Sequence, residues 1–275
     1  MNGEGKRVLV LGGTGVMGSF LVKELLNMGY CVDAGCSKRR ESENAKLSYF
    51  GGDFTDFHTI RSFLAGRHYD AIVDFMTYNT AKFAERFELL FSSADHFIFL
   101  SSYRAYSDVE IPTRESSPKL LNVTDDIEFL QSDDYSLFKT REENIIRNSR
   151  FRNWTIVRPA ITYSSRRIAF VTLELPLMIR RAKAGKPIYI PEEVVNVEAT
   201  CTYAGDVAAM IARLILNPAA YCEDYSVCTA EHRTWGTIAG YYKELLGADI
   251  RTVPLSVYKT FFDYTASKGM LEYDR

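Results

Sequence analysis

An apolar run of strand length, Val8-Leu9-Val10-Leu11, stops at Gly12-Gly13-Thr14-Gly15-Val16-Met17-Gly18, and an amphipathic helical pattern follows over residues 16–28. No other feature of the chain restricts its fold as much. Gly13-x-Gly15-x-x-Gly18 fits the dinucleotide-binding fingerprint, and Gly12-x-x-Gly15-x-x-Gly18 is present as well. Such glycines let the backbone turn tightly, let a pyrophosphate approach it, and let the helix pack close to its strand. The helix N-terminus then offers unbonded N–H groups and a partial positive charge to the phosphates. A glycine-rich turn alone is an ordinary turn. Strand, glycines and helix in this order predict a dinucleotide site.

The rest of the first half continues the alternation. Strands are expected over 31–36, 47–50, 71–75, 96–100 and 154–157, with helices over 57–65, 81–91 and 135–148. Strands alternating with helices imply parallel βαβ units with helices on both faces, and ligands beyond the carboxyl ends of the strands. The polar stretch 107–134, with Pro112 and Pro118, reads as a long functional connection, and Ser132 or Asp133 as the N-cap of the helix after it. Beyond Tyr163 the rhythm changes, with helices over 173–184, 206–216 and 234–246 and an extended piece over 186–190. The expectation is α/β: a doubly wound parallel sheet over 1–163, to which 197–217 returns, and a smaller lobe formed mostly by 164–275.

Composition limits the partners. The 275 residues are 47% hydrophobic and 25% charged with a formal net charge of −2, an ordinary soluble pattern of one or two domains. That charge gives no reason to expect nucleic acid or an anionic membrane as partner. Five cysteines without a Cys-x-x-Cys pair suit reduced thiols in the cytoplasm, no apolar run is long enough to span a membrane, and four scattered histidines make a metal site unexpected.

Tyr135-Ser136-Leu137-Phe138-Lys139 is the candidate chemical centre. Four residues apart on a helix, Tyr135 and Lys139 share a face. Ionising a tyrosine near neutrality needs a shift of about 3 units, or about 4 kcal/mol. One adjacent ammonium supplies about 1–3 units, and the positive charge of an oxidised cofactor adds to it. The pair therefore suits proton transfer at a substrate hydroxyl, with Ser102, at the end of a strand, bonding the same oxygen. With 17 tyrosines the spacing also arises by chance, and Tyr264-x-x-x-Lys268 repeats it. That copy falls after the sheet is finished, with no serine-ended strand at a suitable distance before it, so Tyr135 is preferred.

Taken together, Gly12 to Gly18, Gly52-Asp53, Ser101-Ser102-Tyr103-Arg104-Ala105-Tyr106, Tyr135-x-x-x-Lys139 and Val157-Arg158-Pro159 resemble the extended short-chain dehydrogenase/reductases, most of all the NAD-dependent epimerase/dehydratase group. The resemblance implies a Rossmann-type sheet with a C-terminal substrate lobe and a catalytic set of Ser102, Tyr135 and Lys139. It implies a cofactor site made from Gly12, Thr14, Gly15, Val16, Met17, Gly18, Ser37, Lys38, Arg39, Asp53, Phe54, Phe75 and Pro159, with Asp53 toward the adenine. The expected partner is a sugar-like small molecule, many relatives acting on nucleotide sugars, and a homodimer is compatible with this. Neither nucleic acid nor membrane is expected.

The chain departs from the group in several places. The arginine often found seven residues before the Asp206 position is here Ala199, and the usual Tyr-Gly after Arg-Pro is Tyr163-Ser164. A conventional nucleotide-diphosphate grip is therefore not expected, unless Arg104, Arg166 or Arg167 replaces it. The chain stops earlier than many members of the group, so a C-terminal portion is expected to be missing. The second strand ends in Cys36-Ser37-Lys38-Arg39-Arg40 with no carboxylate before Glu41, which favours NADP over NAD. The competing reading, a non-catalytic dinucleotide sensor or RNA-binding relative, would show a damaged Ser–Tyr–Lys set or a basic face. The set is intact, and the net charge gives no sign of such a face.

Overall fold

The computed structural model describes residues 3–261. The elements that carry the sheet are β1 (Arg7–Leu11), α1 (Val16–Asn27), β2 (Cys31–Cys36), β3 (Leu47–Gly51), α2 (Phe57–Leu64), β4 (Tyr69–Asp74), α3 (Thr80–Ser92) and β5 (Ala94–Leu100). Two short helices follow, α4 (Leu120–Val123) and α5 (Ile127–Gln131), then α6 (Tyr135–Asn148) and β6 (Trp154–Pro159). The stretch expected as a bare connection is thus partly helical. The cap of α6 is Asp134 rather than Ser132 or Asp133: its carboxylate accepts the Ser136 amide at 2.9 Å. A carboxylate directly before the first helical residue reaches that amide, whereas Ser132 turns back to accept Asp134 N.

The remaining elements are β7 (Ile161–Tyr163), β8 (Ala169–Phe170), β9 (Leu173–Glu174), α7 (Leu175–Lys183), β10 (Ile188–Pro191), β11 (Glu198–Ala199), β12 (Cys201–Tyr203), α8 (Ala204–Leu214), β13 (Glu223–Val227), β14 (Arg233–Thr234), α9 (Trp235–Leu246), β15 (Ile250–Val253) and α10 (Leu255–Tyr258). Seven parallel strands lie in the order β13-β6-β5-β4-β1-β2-β3. The order reverses between β1 and β4, the crevice where such sheets bind ligands.

Each face of the sheet has its own core. Leu21, Leu25, Val207 and Ile211, from α1 and α8, cover Val8, Val10, Val32 and Val73. Ile60, Phe83, Leu90 and Ile146, from α2, α3 and α6, cover Leu9, Ile72, Phe97 and Ile156 on the other face. Helix α8 packs against α1 on the sheet. Residues 223–227 join the sheet as the edge strand β13 beside β6. A third core, with Phe170, Met178, Ile190, Trp235 and Ile238 at its centre, forms the lobe.

Candidate active site

The glycine turn is shaped by contacts that admit no side chain. Gly12 has φ +76°, a left-handed conformation suited to glycine. A Cβ on Gly13 would lie 2.8 Å from Ala34 Cβ on β2, and one on Gly18 would lie 2.2 Å from Gly12 O. Gly15 differs, since within 4 Å its Cβ would meet only Gly12 O, at 3.1 Å. So Gly13 and Gly18 are packing glycines, while Gly15 faces open space where a ligand can approach. The first intrahelical bond of α1 runs from Ser19 N to Gly15 O at 3.1 Å, leaving the earlier amides outside the helix ladder. This cradle fits a pyrophosphate.

Beside the turn lies a cavity of about 290 Å³ lined by Gly12, Thr14, Gly35, Cys36, Ser37, Gly52, Asp53, Phe54 and Met76. It brings together the expected Gly12, Thr14, Ser37, Asp53 and Phe54. Gly35, Cys36, Gly52 and Met76 were not among the expected cofactor residues; Cys36, Gly52 and Met76 each adjoin one, and Gly35 lies one position further back. Val16 and Met17 open α1, Phe75 follows β4 with its Cβ against the Gly12 side, and Pro159 closes β6. Lys38 and Arg39 lie close over the end of β3, where a Cβ on Gly51 would come within 2.4 Å of Arg39 N. Arg39 also lines an adjoining cavity of about 410 Å³ with Tyr49, Phe50 and Phe63. Asp53 Oδ1 accepts Thr55 N at 2.9 Å and Thr55 Oγ1 at 2.6 Å, and these bonds hold its carboxyl below the usual range. It caps its loop while lining the cavity. Asp33 is committed elsewhere, to Arg7 Nη1 at 2.8 Å and Tyr69 OH at 2.9 Å.

Ser102 stands two residues beyond β5 and caps the turn 103–105. It is buried, and its Oγ accepts Arg104 N at 3.2 Å, which leaves its own O–H to donate. The turn 103–105 packs against α6. Arg104 lies 5.2 Å from the centre of the Tyr135 ring and 3.9 Å from Asp134. Lys139 is buried, with Nζ 6.0 Å from the same ring and 4.8 Å from that of Phe99. Both cations therefore lie near the Tyr135 ring.

Two carboxyls near Lys139 escaped the sequence reading. Glu142, one turn along α6, accepts from Lys139 Nζ at 3.0 Å, and burial pushes its carboxyl up to about 7. Asp74, closing β4, is fully buried and pushed up to about 6, with Lys139 and Arg86 opposing the shift. An acid three residues beyond a functional lysine, and one ending an apolar strand, were the available signals. Deeper still, Arg158 donates to both Glu143 oxygens at 2.7 Å and also binds Tyr106 and Asp224. This network joins β6, α6 and β13 and is a structural brace. Ala199 is buried in the lobe core, so the sequence position where the family often has arginine carries no charge. Tyr264 and Lys268 lie outside the described residues. Among the described residues no group of three or more His, Cys, Asp or Glu is placed to hold a metal ion, and no helix is long and apolar enough to cross a membrane.

Residues 8–88 match the sequence model of the NAD dependent epimerase/dehydratase family. No curated protein matches the chain. Among solved structures it is similar to the epimerase Mth375 of Methanothermobacter thermautotrophicus, at 17% identity and TM-score 0.72, covering 92% of this chain and 81% of that one. It is also similar to a dTDP-glucose 4,6-dehydratase of Bacillus anthracis in complex with NAD, at 18% identity and TM-score 0.69, covering 90% and 84%. A UDP-glucose 4-epimerase of Thermotoga maritima with UDP-glucose gives 17% identity and TM-score 0.64, covering 90% and 85%. At these identities the likeness concerns the fold. The profile match and the fold agree: residues 8–88 resemble the NAD dependent epimerase/dehydratase family model, and the chain has the fold of these solved epimerase and dehydratase structures.

Proposed function

We propose that the protein is an NAD(P)-dependent oxidoreductase or epimerase acting at a hydroxyl or keto carbon of a sugar-like substrate. The observation that carries this reading is the pairing of the glycine cradle with α6, whose first residue Tyr135 has Arg104 and Lys139 near its ring and the Ser102 turn packed against its helix. When bound, a nicotinamide dinucleotide supplies hydride acceptance and donation. Tyr135 takes the proton of the substrate hydroxyl, or returns it to a carbonyl oxygen. Lys139 and Arg104 place positive charge beside its ring. Ser102 donates to the substrate oxygen and orients it. Glu142 pairs with Lys139, and with its carboxyl pushed up to about 7 it neutralises the ammonium only partly near neutral pH.

The named sugar-nucleotide neighbours support a sugar-like substrate. Ala199 and Ser164, where the family often has arginine and glycine, argue for a diphosphate grip of another kind or for none. For the cofactor, NADP is favoured: the β2 end offers Ser37, Lys38 and Arg39, while Asp33, the nearest acid within the strand, is held by Arg7 and Tyr69. The experiment is a thermal-shift screen of nucleotide and simple sugars with each dinucleotide, followed by turnover of Tyr135→Phe on whichever sugar binds. Removing a proton-transfer group of this kind costs on the order of 10²–10⁴ in rate, and cofactor binding should survive. Full turnover by Tyr135→Phe, or a dead Tyr264→Phe, overturns the assignment.

A further inference from the structure

Residues 164–167 leave the end of β7 and form a tight turn, Ser164 N donating to Arg167 O at 2.8 Å and Arg167 N to Ser164 O at 3.1 Å. Ser164 Oγ also accepts Arg166 N at 3.1 Å. The turn is therefore tied at its base, and Arg166 is carried at its tip. Its guanidinium crosses to the first turn of α1, where Nη2 donates to Gly15 O at 3.3 Å and to Ser19 Oγ. These partners are 151 and 147 residues away in sequence.

This is an unfavourable place for a bare cation. A helix N-terminus carries a partial positive charge that favours anions and disfavours lysine or arginine. The two acceptors of Arg166 are a carbonyl and a hydroxyl, neither of which carries a compensating charge. Among the described residues no carboxylate lies within ion-pair distance of it, whereas its neighbour Arg167 is paired with Glu174 at 3.2 Å. The space before Gly15 is open, since a Cβ there would meet nothing but Gly12 O within 4 Å. An anion in that space would satisfy both the helix end and the guanidinium.

We infer that Arg166 is a ligand for the pyrophosphate of the dinucleotide, supplied from outside the glycine motif by the turn that leads into the lobe. The inference rests on the cofactor reading above and adds to it a specific residue. In the unliganded protein Arg166 rests on Gly15 O and Ser19 Oγ. A rotation of its long side chain turns the same N–H donors onto a phosphate oxygen, an acceptor to which guanidinium is matched in shape and charge.

The test is isothermal titration of NADP, NAD and adenosine, with calorimetric melting of the unliganded proteins, for the wild type, Arg166→Ala and Arg167→Ala. A charge-assisted hydrogen bond corresponds to a loss of about tenfold to a hundredfold in Kd. Arg166→Ala should therefore bind both dinucleotides at least about tenfold more weakly, bind adenosine as the wild type does, and melt no lower without ligand. Arg167→Ala should bind like the wild type. Dinucleotide binding by Arg166→Ala within twofold of wild type overturns the inference, as does an equal loss for adenosine or a lowered melting temperature without ligand. A wild type that binds neither dinucleotide instead removes the cofactor reading itself.

Discussion

Replacing Gly18 by alanine tests the division of the glycine turn into packing and ligand positions. The added carbon would lie 2.2 Å from Gly12 O, 3.0 Å from Gly12 C and 2.9 Å from Gly13 Cα, all backbone atoms. An unstrained carbon–oxygen contact is about 3.3 Å, so helix and turn must separate by about 1 Å. The turn resists, because Gly12 N and Gly13 N both donate to Gly35 O, at 3.1 and 3.0 Å. Overpacking of this kind costs about 1–3 kcal/mol, and the pinned turn argues for the upper end. Alanine recovers at most about 1 kcal/mol of helix propensity. The net loss is then about 2 kcal/mol, a fall in Tm of about 4–8 °C for a chain of this size. Gly15→Ala, at φ −67° and with open space ahead of it, should melt within about 2 °C of wild type. Gly15→Val should keep the fold but lose cofactor-induced stabilisation. Scanning calorimetry of the unliganded variants decides the matter: a Gly18→Ala protein as stable as wild type, or a Gly15→Ala protein equally damaged, refutes the reasoning.

Two further outcomes can be measured directly. The wild type should bind NADP more tightly than NAD, and Lys38→Ala/Arg39→Ala should erase the difference by weakening NADP alone; equal or tighter binding of NAD by the wild type contradicts this. His96 is buried, accepts Leu216 N on Nδ1 at 2.9 Å, therefore donates from Nε2 to Thr155 Oγ1 at 2.8 Å, and is pushed down from 6.5 to about 4 by burial. Between those values the unfolded chain binds the proton and the folded chain does not, so this contribution is intact above pH 6.5 and lost as pH falls toward 4, by about 3 kcal/mol in all. Asp74 and Glu142, pushed up to about 6 and 7, act in the opposite direction over part of the same range. The check is therefore the difference in unfolding free energy between wild type and His96→Gln, which should shrink from pH 7 to pH 4; a constant difference rules the mechanism out.

The elements legible in the sequence were those whose pattern is local. β1, α1 and the glycines between them follow from an apolar run, a turn chemistry and a helical period within a few residues of one another. The helix of Tyr135 and Lys139 runs over the expected residues 135–148, because its period marks its face, although its cap is Asp134 and not the Ser132 or Asp133 expected. The strand β13 was not legible. Glu223-Asp224-Tyr225-Ser226-Val227 carries an edge strand's mixture of polar and apolar residues, and only the exposed edge of β6 makes it a strand. The same limit applies to the charges. Asp33 stands at about the spacing of a ribose ligand, yet Arg7 and Tyr69 occupy it, and nothing local in the sequence shows that they do. Arg166 looks like one of two adjacent surface arginines until the chain folds and sets one against Glu174 and the other against the first turn of α1. Backbone preference and hydrophobic period act over a single element, so one sequence is enough to read them. A buried charge or a ligand-facing side chain depends on what residues a hundred or more positions away bring beside it, and only the tertiary structure decides that.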